Sequence, residues 1–371
     1  MTIVLSLLLL LYLLMLVVLL IGWVRIRRHP MPPRKPNPPR VSVIVAFRNE
    51  AANLEDLITD LSNSAFSPDR FELILVDDHS EDNSLEVAQR VAGNRSHVRL
   101  LRLPDGHTGK KAALRLGIDQ SRYEIIATTD ADCRVSKNWV TCVASYFEDA
   151  QTKLLLGPVK LSDDGTWFGR LQILEFVSVA ATTAATIGLG HPVMANGANL
   201  AFRKEVFTEV GGYEDNITVA SGDDEFLLRK IFKRYPEGIR YLNYFEAAIS
   251  TPPQPDLKSF VYQRMRWAGK WRHNSDPIAR LMAAFVLFAQ IAFLALLLRN
   301  LAVPDATGIL VLFKILLEGI LLAWMSRFLD KSFNGWSFLL MQLFYPPYVL
   351  FIGFGSLFLS YQWKGRRYGQ G

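Results

Sequence analysis

Cysteine is nearly absent: Cys133 and Cys142 are the only two in 371 residues. With no paired His or Cys cluster beside them, they supply neither a disulfide framework nor a zinc site. Their scarcity agrees with a reducing compartment. No G-x-x-x-x-G-K-[ST] occurs, which excludes a P-loop. No G-x-G-x-x-G follows the first apolar run, which argues against a nicotinamide or flavin dehydrogenase. Internal repeats are missing, as is any low-complexity tract beyond one proline-rich linker.

Charge is missing from residues 3–24. At about 1.5 Å per residue, that run can cross a hydrocarbon core of about 30 Å. The competing reading is a cleaved signal peptide. The run exceeds the usual h-region, lacks a basic n-region and has no A-x-A-like site after it, so a retained span is expected. A general basic character is also missing. The net charge is +6, and Arg25, Arg27, Arg28, Arg34, Lys35 and Arg40 supply six positive charges with no acid among them. Without them the rest of the chain is charge-balanced, so the excess describes one juxtamembrane linker and no nucleic-acid face. That linker also holds Pro30, Pro32, Pro33, Pro36, Pro38 and Pro39, a composition that favours an extended spacer. Basic residues beside a span favour the cytoplasmic side and attract anionic head groups. The expectation is an integral protein of a bacterial-type inner (cell) membrane with its soluble domain in the cytosol.

What is present is alternation. Apolar runs at 41–47, 71–76, 98–103 and 124–129 read as strands. Segments 50–64, 81–92, 110–120 and 136–147 read as helices between and after them. This pattern predicts a parallel sheet with helices on both faces. Residues 153–159 read as another strand, and 203–210, 223–234 and 256–273 as helices. Residues 167–187 are helical in pattern and rich in small residues, too polar for a clear span and suited to a membrane surface. Further span candidates are 281–298, 308–324 and 336–361, the last interrupted by Pro346-Pro347. Three such spans would leave the tail outside, whereas Lys364, Arg366 and Arg367 prefer the inside, so the topology stays open. Lys314 and Glu318 lie one turn apart and can pair or mark an interfacial helix. The expected domains are a membrane helix at 1–24, the linker at 25–40, a cytosolic catalytic domain at 41–275 and a membrane region at 279–363.

Three of the strands end in polar clusters: Arg48-Asn49-Glu50, Asp77-Asp78-His79-Ser80 and Asp130-Ala131-Asp132. In a parallel sheet these gather on the carboxyl edge, where open α/β sheets bind ligands. Carboxylates collected there need a cation or donors to offset their repulsion. Asp130 and Asp132, one residue apart, can share Mg²⁺ or Mn²⁺ with a substrate's phosphates, although Asp at strand ends also serves turns. Asp77 or Asp78 can accept from a base N–H or a ribose hydroxyl. The cluster can equally cap the next helix, with Ser80 as N-cap. Lys110 and Lys111 follow Gly109 at a helix start and are either phosphate contacts or a solvated basic face. Ser221-Gly222-Asp223-Asp224-Glu225 opens a helix, where acids suit the dipole or where one serves as general base. On a helix, Gln263, Arg266, Trp267 and Lys270 share a face. Arg266 could bind a diphosphate and Trp267 could stack on a sugar. The other reading is an amphipathic surface helix, strongest for Arg264, Lys270 and Arg272.

VSVIVAFRNE, VDDHS, GKKAAL, DAD, NGANLAF, GDDEFL and QRMRW occur in this order. Over residues 40–275 the chain resembles a membrane-bound family 2 glycosyltransferase. In these motifs it is similar to cellulose, chitin and hyaluronan synthases and to ceramide-type glucosyltransferases. The resemblance implies an α/β GT-A (Rossmann-like) nucleotide-sugar domain with one N-terminal and two to three C-terminal transmembrane helices. It implies that Glu50 with Asp77 or Asp78 binds the nucleoside and that Lys110 or Lys111 lies near the phosphates. Asp130 and Asp132 would serve nucleotide and metal, with Asp132 the better ligand. Asp224 would match the acid of the family's base motif, with Asp223 in place of its Glu, so both stay open as base. Gln263, Arg266 and Trp267 would match Q-x-x-R-W, the first two on the donor and Trp267 on the acceptor side. The expected activity is inverting transfer from a UDP-linked sugar to a lipid or lipid-linked acceptor, because few spans follow the catalytic segment. A processive polysaccharide synthase subunit is the alternative. A non-catalytic nucleotide-sugar-binding membrane subunit is the reading from a different class.

Overall fold

The computed structural model describes residues 1–28, 32, 37–214, 222–269, 277–358, 361–363 and 366–368. Most of the proline linker, together with Ser221, Lys270, Trp271, Arg272 and Lys364, lies outside the described residues. The chain begins with helix α1, Thr2–Arg27, and divides into two compact units. A sheet unit comprises Arg25–Ser162 and Thr186–Pro252, and a helical unit comprises Met1–Val24, Asp163–Ala185 and Pro253–Gly371.

In the sheet unit, β1 (Val41–Phe47), α2 (Leu54–Ser62), β2 (Phe71–Asp77), α3 (Ser84–Ala92), β3 (Val98–Arg102), α4 (Lys110–Asp119) and β4 (Ile125–Thr128) alternate. Then follow α5 (Trp139–Tyr146), β5 (Leu154–Leu156) and β6 (Val159–Leu161). The seven-stranded sheet has the order β3-β2-β1-β4-β7-β5-β8, with β7 at Leu200–Arg203 and β8 at Ile239–Tyr241. β3, β2, β1 and β4 run parallel, in agreement with the alternating pattern. β7 runs antiparallel to both β4 and β5, so the sheet is mixed rather than parallel throughout. β7 is only four residues long, and its direction is set by pairing with distant strands rather than by local pattern. The expected strand at 153–159 is in fact two, and β6 leaves the main sheet to pair with β9 (Ile249–Thr251). α7 (Lys204–Glu209) and α8 (Asp223–Arg234) complete the unit around buried β2, whose every residue faces protein. Gly117 on α4 lets that helix approach the sheet: a Cβ there would stand 2.5 Å from Ile44 Cγ2. This close packing sets the height of Lys110 at the other end of α4.

The helical unit contains α6 (Trp167–Gly188), α9 (Leu257–Gly269), α10 (Pro277–Ala302), α11 (Gly308–Phe328) and α12 (Gly335–Phe358). Among the described residues, five helices, α1, α6, α10, α11 and α12, are long and apolar enough to cross a membrane. α6 therefore meets a criterion its sequence seemed too polar for. Its apolar window is 72% buried by protein against 28% for α1, so its polar residues are enclosed by neighbours. α12 continues through Pro346 and Pro347 without a break, as helices packed among others can. Lys314 and Glu318 do pair, at 2.9 Å, inside a network that joins several helices. Tyr12 of α1 donates to Glu318 at 2.7 Å, Gln290 of α10 donates to Tyr12 at 3.2 Å, and Gln342 of α12 accepts from Lys314 at 2.6 Å.

Candidate active site

Because β3, β2, β1 and β4 are adjacent and parallel, the residues that follow them share one edge. Behind β1, Asn49 takes the left-handed conformation at φ 53°, which Asn tolerates. Its N–H donates to Ser80 Oγ at 3.1 Å and its Oδ1 accepts from Glu81 N–H at 2.8 Å, stitching two strand-end loops together. Ser80 is thus a loop staple rather than the helix cap. α3 begins only at Ser84, with Asn83 at the cap position. Glu50 is buried beside this staple: its N–H donates to Ser84 Oγ at 2.7 Å and its Oε2 accepts from Asn53 at 2.6 Å.

Behind β2, Asp77 accepts from Ser80 N–H at 3.0 Å, closing its own turn. Both oxygens of Asp78 accept from Gly109 N–H at 3.0 Å, which anchors the loop leading into α4. Gly109 stands at φ 99°, where a side chain would be strained. That anchor aims Lys110 across the edge. Its Nζ meets Asp130 Oδ1 at 2.5 Å and Asp223 Oδ2 at 3.4 Å. Burial works against the ammonium charge, but Asp130 and then Asp223 outweigh it and hold the Lys110 pKa above its ordinary value. Lys111 is buried, with Nζ 5.1 Å from the Phe226 ring centre. The solvated basic face is therefore excluded for both lysines: one faces acids and the other an aromatic ring.

Behind β4, Asp132 Oδ2 accepts from Thr251 Oγ1 at 3.4 Å, so β9 reaches the D-x-D loop. Burial, followed by Asp132 and Asp130, pushes the neighbouring Cys133 thiol well up, leaving it an inert core group. Arg134 locks the end of this loop through Asp60 at 2.6 Å and Asp56 at 2.9 Å on α2. Asp223 and Asp224 open α8 after Gly222 at φ 86°. Asp224 accepts from Gly197 N–H at 3.0 Å and from Glu225 N–H at 2.8 Å, while Asp223 faces Lys110. The structure thus brings Lys110, Asp130, Asp223 and Asp224 into one cluster, with Asp78 behind it.

Two contributors carry no obvious signal in the sequence. A Cβ on Gly197 would lie 3.0 Å from Asp223 Oδ2 and 3.5 Å from Lys110 Nζ, so this glycine makes room for the acid–lysine contact. It belongs to NGANLAF, a motif read without assigning roles to its residues. Tyr213 is 1% exposed, its ring 5.0 Å from that of Phe207. Burial first, then Asp223, raises its phenol well above the ordinary range.

Gln263, Arg266 and Trp267 lie on α9 in the helical unit. There Trp267 packs at 6.1 Å from Phe176 of α6. The surface-helix reading fails for Arg264, which is buried and bonds Glu175 at 2.9 and 2.5 Å.

The family description "Glycosyl transferase family 2" matches residues 42–211. "Probable glycosyltransferase YdaM" of Bacillus subtilis is 24% identical over 264 residues, covering 67% of this chain and 58% of the relative. Poly-beta-1,6-N-acetyl-D-glucosamine synthase of Staphylococcus aureus is 22% identical over 231 residues, covering 62% of this chain and 53% of the relative. The chain thus spans somewhat more than half the length of these relatives. The solved mannosyltransferase PcManGT of Pyrobaculum calidifontis, in complex with GDP-Man and Mn²⁺, shares the fold. Its TM-score is 0.63 at 19% identity, over 96% of this chain and 99% of that one. Residues 42–211 are accordingly a family 2 glycosyltransferase domain built on the GT-A fold.

Proposed function

We propose that this chain is an inverting glycosyltransferase. It moves a sugar from a nucleoside-diphosphate donor to a lipid or lipid-linked acceptor at the cytosolic membrane face. The observation that carries the reading is the acid-rich sheet edge with Lys110 between Asp130 and Asp223. A self-sufficient fold has little use for this many carboxylates at the ligand-binding edge of its sheet.

Glu50, Asp77 and Asp78 form the nucleoside side of the edge. Gln263 and Arg266 are assigned to the donor diphosphate and Trp267 to the acceptor side. Asp224, or Asp223 beside it, takes the proton from the acceptor hydroxyl as that oxygen attacks the anomeric carbon in line, and the nucleoside diphosphate leaves. Lys110 lies between Asp130 and Asp223 and offsets their mutual repulsion before the donor arrives. Among the described residues no group of three or more His, Cys, Asp or Glu could hold a metal. The pair Asp130 and Asp132 nevertheless fits Mg²⁺ or Mn²⁺, which characteristically take one or two carboxylates and complete their shell with substrate phosphates. When bound, the ion supplies charge neutralisation at the leaving diphosphate.

Five membrane-length helices support a membrane-embedded acceptor. The likeness to a poly-N-acetylglucosamine synthase supports the second reading, a processive polysaccharide synthase. A panel of UDP- and GDP-linked sugars, assayed on the full chain in membranes with Mg²⁺ or Mn²⁺, separates them. The lipid reading expects new mass in the lipid extract, and label found only in long polymer would replace it with the second. Donor consumption by no member of the panel would refute both.

A further inference from the structure

The motif Gln263-Arg264-Met265-Arg266-Trp267 contains one cation that the proposed chemistry does not use. Arg264 is 4% exposed. A guanidinium so enclosed is costly unless its fork is matched, and Glu175 of α6 matches it from both oxygens at 2.9 and 2.5 Å. Tyr348 of α12 donates to the same carboxylate at 3.1 Å, so three helices meet at one ion pair. The guanidinium carbon also lies 4.4 Å from the ring centre of Phe260 and 4.3 Å from that of Trp267, while Arg264 Nη1 donates to Gln263 Oε1. A separate contact ties the entry to α9 to the same helix: Gln254 N–H donates to Gln172 Oε1 at 2.8 Å, and Gln172 Nε2 donates to Gln254 O at 2.9 Å.

We infer that Arg264 is a positioning residue. Through Glu175, Tyr348 and the stacked Trp267 it holds the motif helix α9 in register with α6 and α12. The position of the motif side chains is thereby set by two membrane-length helices, and the Trp267 ring face covered by Arg264 is closed to a sugar. The kinetic half of this inference rests on the reading that Gln263 and Arg266 hold the donor.

The test uses the full-length protein with Met265→Cys as a reporter. Met265 is 2% exposed, and Cys133 and Cys142 are both buried, so maleimide reads the introduced thiol. Arg264→Lys keeps the charge and loses the fork. The double variant Glu175→Gln/Arg264→Met removes both charges together, in case a lone buried charge prevents folding. In protein that stays monodisperse, both should speed labelling about tenfold as α9 opens locally. Both should also raise the donor KM about fivefold, whereas a smaller folded fraction would lower only the maximal rate. Unchanged labelling in both variants overturns the clamp whatever the activity. Faster labelling with donor KM within about twofold of the parent overturns the positioning role. A parent inert toward every donor overturns the proposed function alone, because labelling still decides the clamp.

Discussion

In the helical unit, Lys314 faces Glu318 at 2.9 Å and Arg264 faces Glu175 at 2.5 Å, one cation to one anion. At the sheet edge Lys110 faces Asp130 and Asp223 together, with Asp224 and Asp78 close behind and their oxygens taken up by backbone N–H groups. A buried one-to-one pair neutralises its own charge and needs no ligand, although its desolvation can cost as much as the attraction returns. The sheet edge instead gathers several carboxylates around one lysine, the arrangement on which the proposed chemistry rests. The same residue types therefore build packing in one region and the proposed reaction site in the other.

The contrast can be broken by substitution. The largest effect is expected from Asp224→Asn, which should lower turnover about 10²–10⁴-fold while donor binding stays intact. Near-normal turnover would move the base to Asp223, whose own Asn variant completes the assay. Next comes Lys314→Met, which strands Glu318 and should cost about 3–5 kcal/mol, read as a lower melting temperature in detergent. Lys314→Met with Glu318→Met should recover most of that loss at unchanged activity per folded molecule, and failure to recover would give the pair more than a packing role.

Gly197→Ala sharpens the comparison, because its methyl crowds Asp223 and Lys110. We expect about a tenfold fall in kcat with a stability change of about 1 kcal/mol or less. Lys110 adds a pH signature. Its folded pKa is raised above the unfolded 10.5, so the stabilisation is complete below that pH and declines as pH rises beyond it. Alkaline unfolding curves of wild type and Lys110→Met should therefore converge toward high pH, and a gap that widens there would reverse the sign. The smallest effect is expected from Ser80→Ala, which removes one loop hydrogen bond and should cost about 1 kcal/mol with activity within about twofold.

Local pattern was sufficient for much of this fold. β1 at Val41–Phe47 and α8 at Asp223–Arg234 have the boundaries their sequence predicts, because unbroken apolar runs and a glycine before an acidic first turn are strong short-range signals. β7, β8 and β9 were not read: each is three or four residues long and exists only through its partners. Within the site, the acids and lysines were legible as types. Which acid Lys110 would meet was not, nor was the room that Gly197 leaves for that contact.

The sequence by itself determined the alternation of the first four strands with their helices, the carboxylates at the ends of β1, β2 and β4, and the apolar lengths that suit a membrane. These depend on neighbours along the chain. The direction of β7, the meeting of Lys110 with Asp130 and Asp223, and the burial of Arg264 against Glu175 were decided by tertiary structure. Each joins groups distant in sequence, and the free energy of such a contact depends on what the rest of the fold encloses around it.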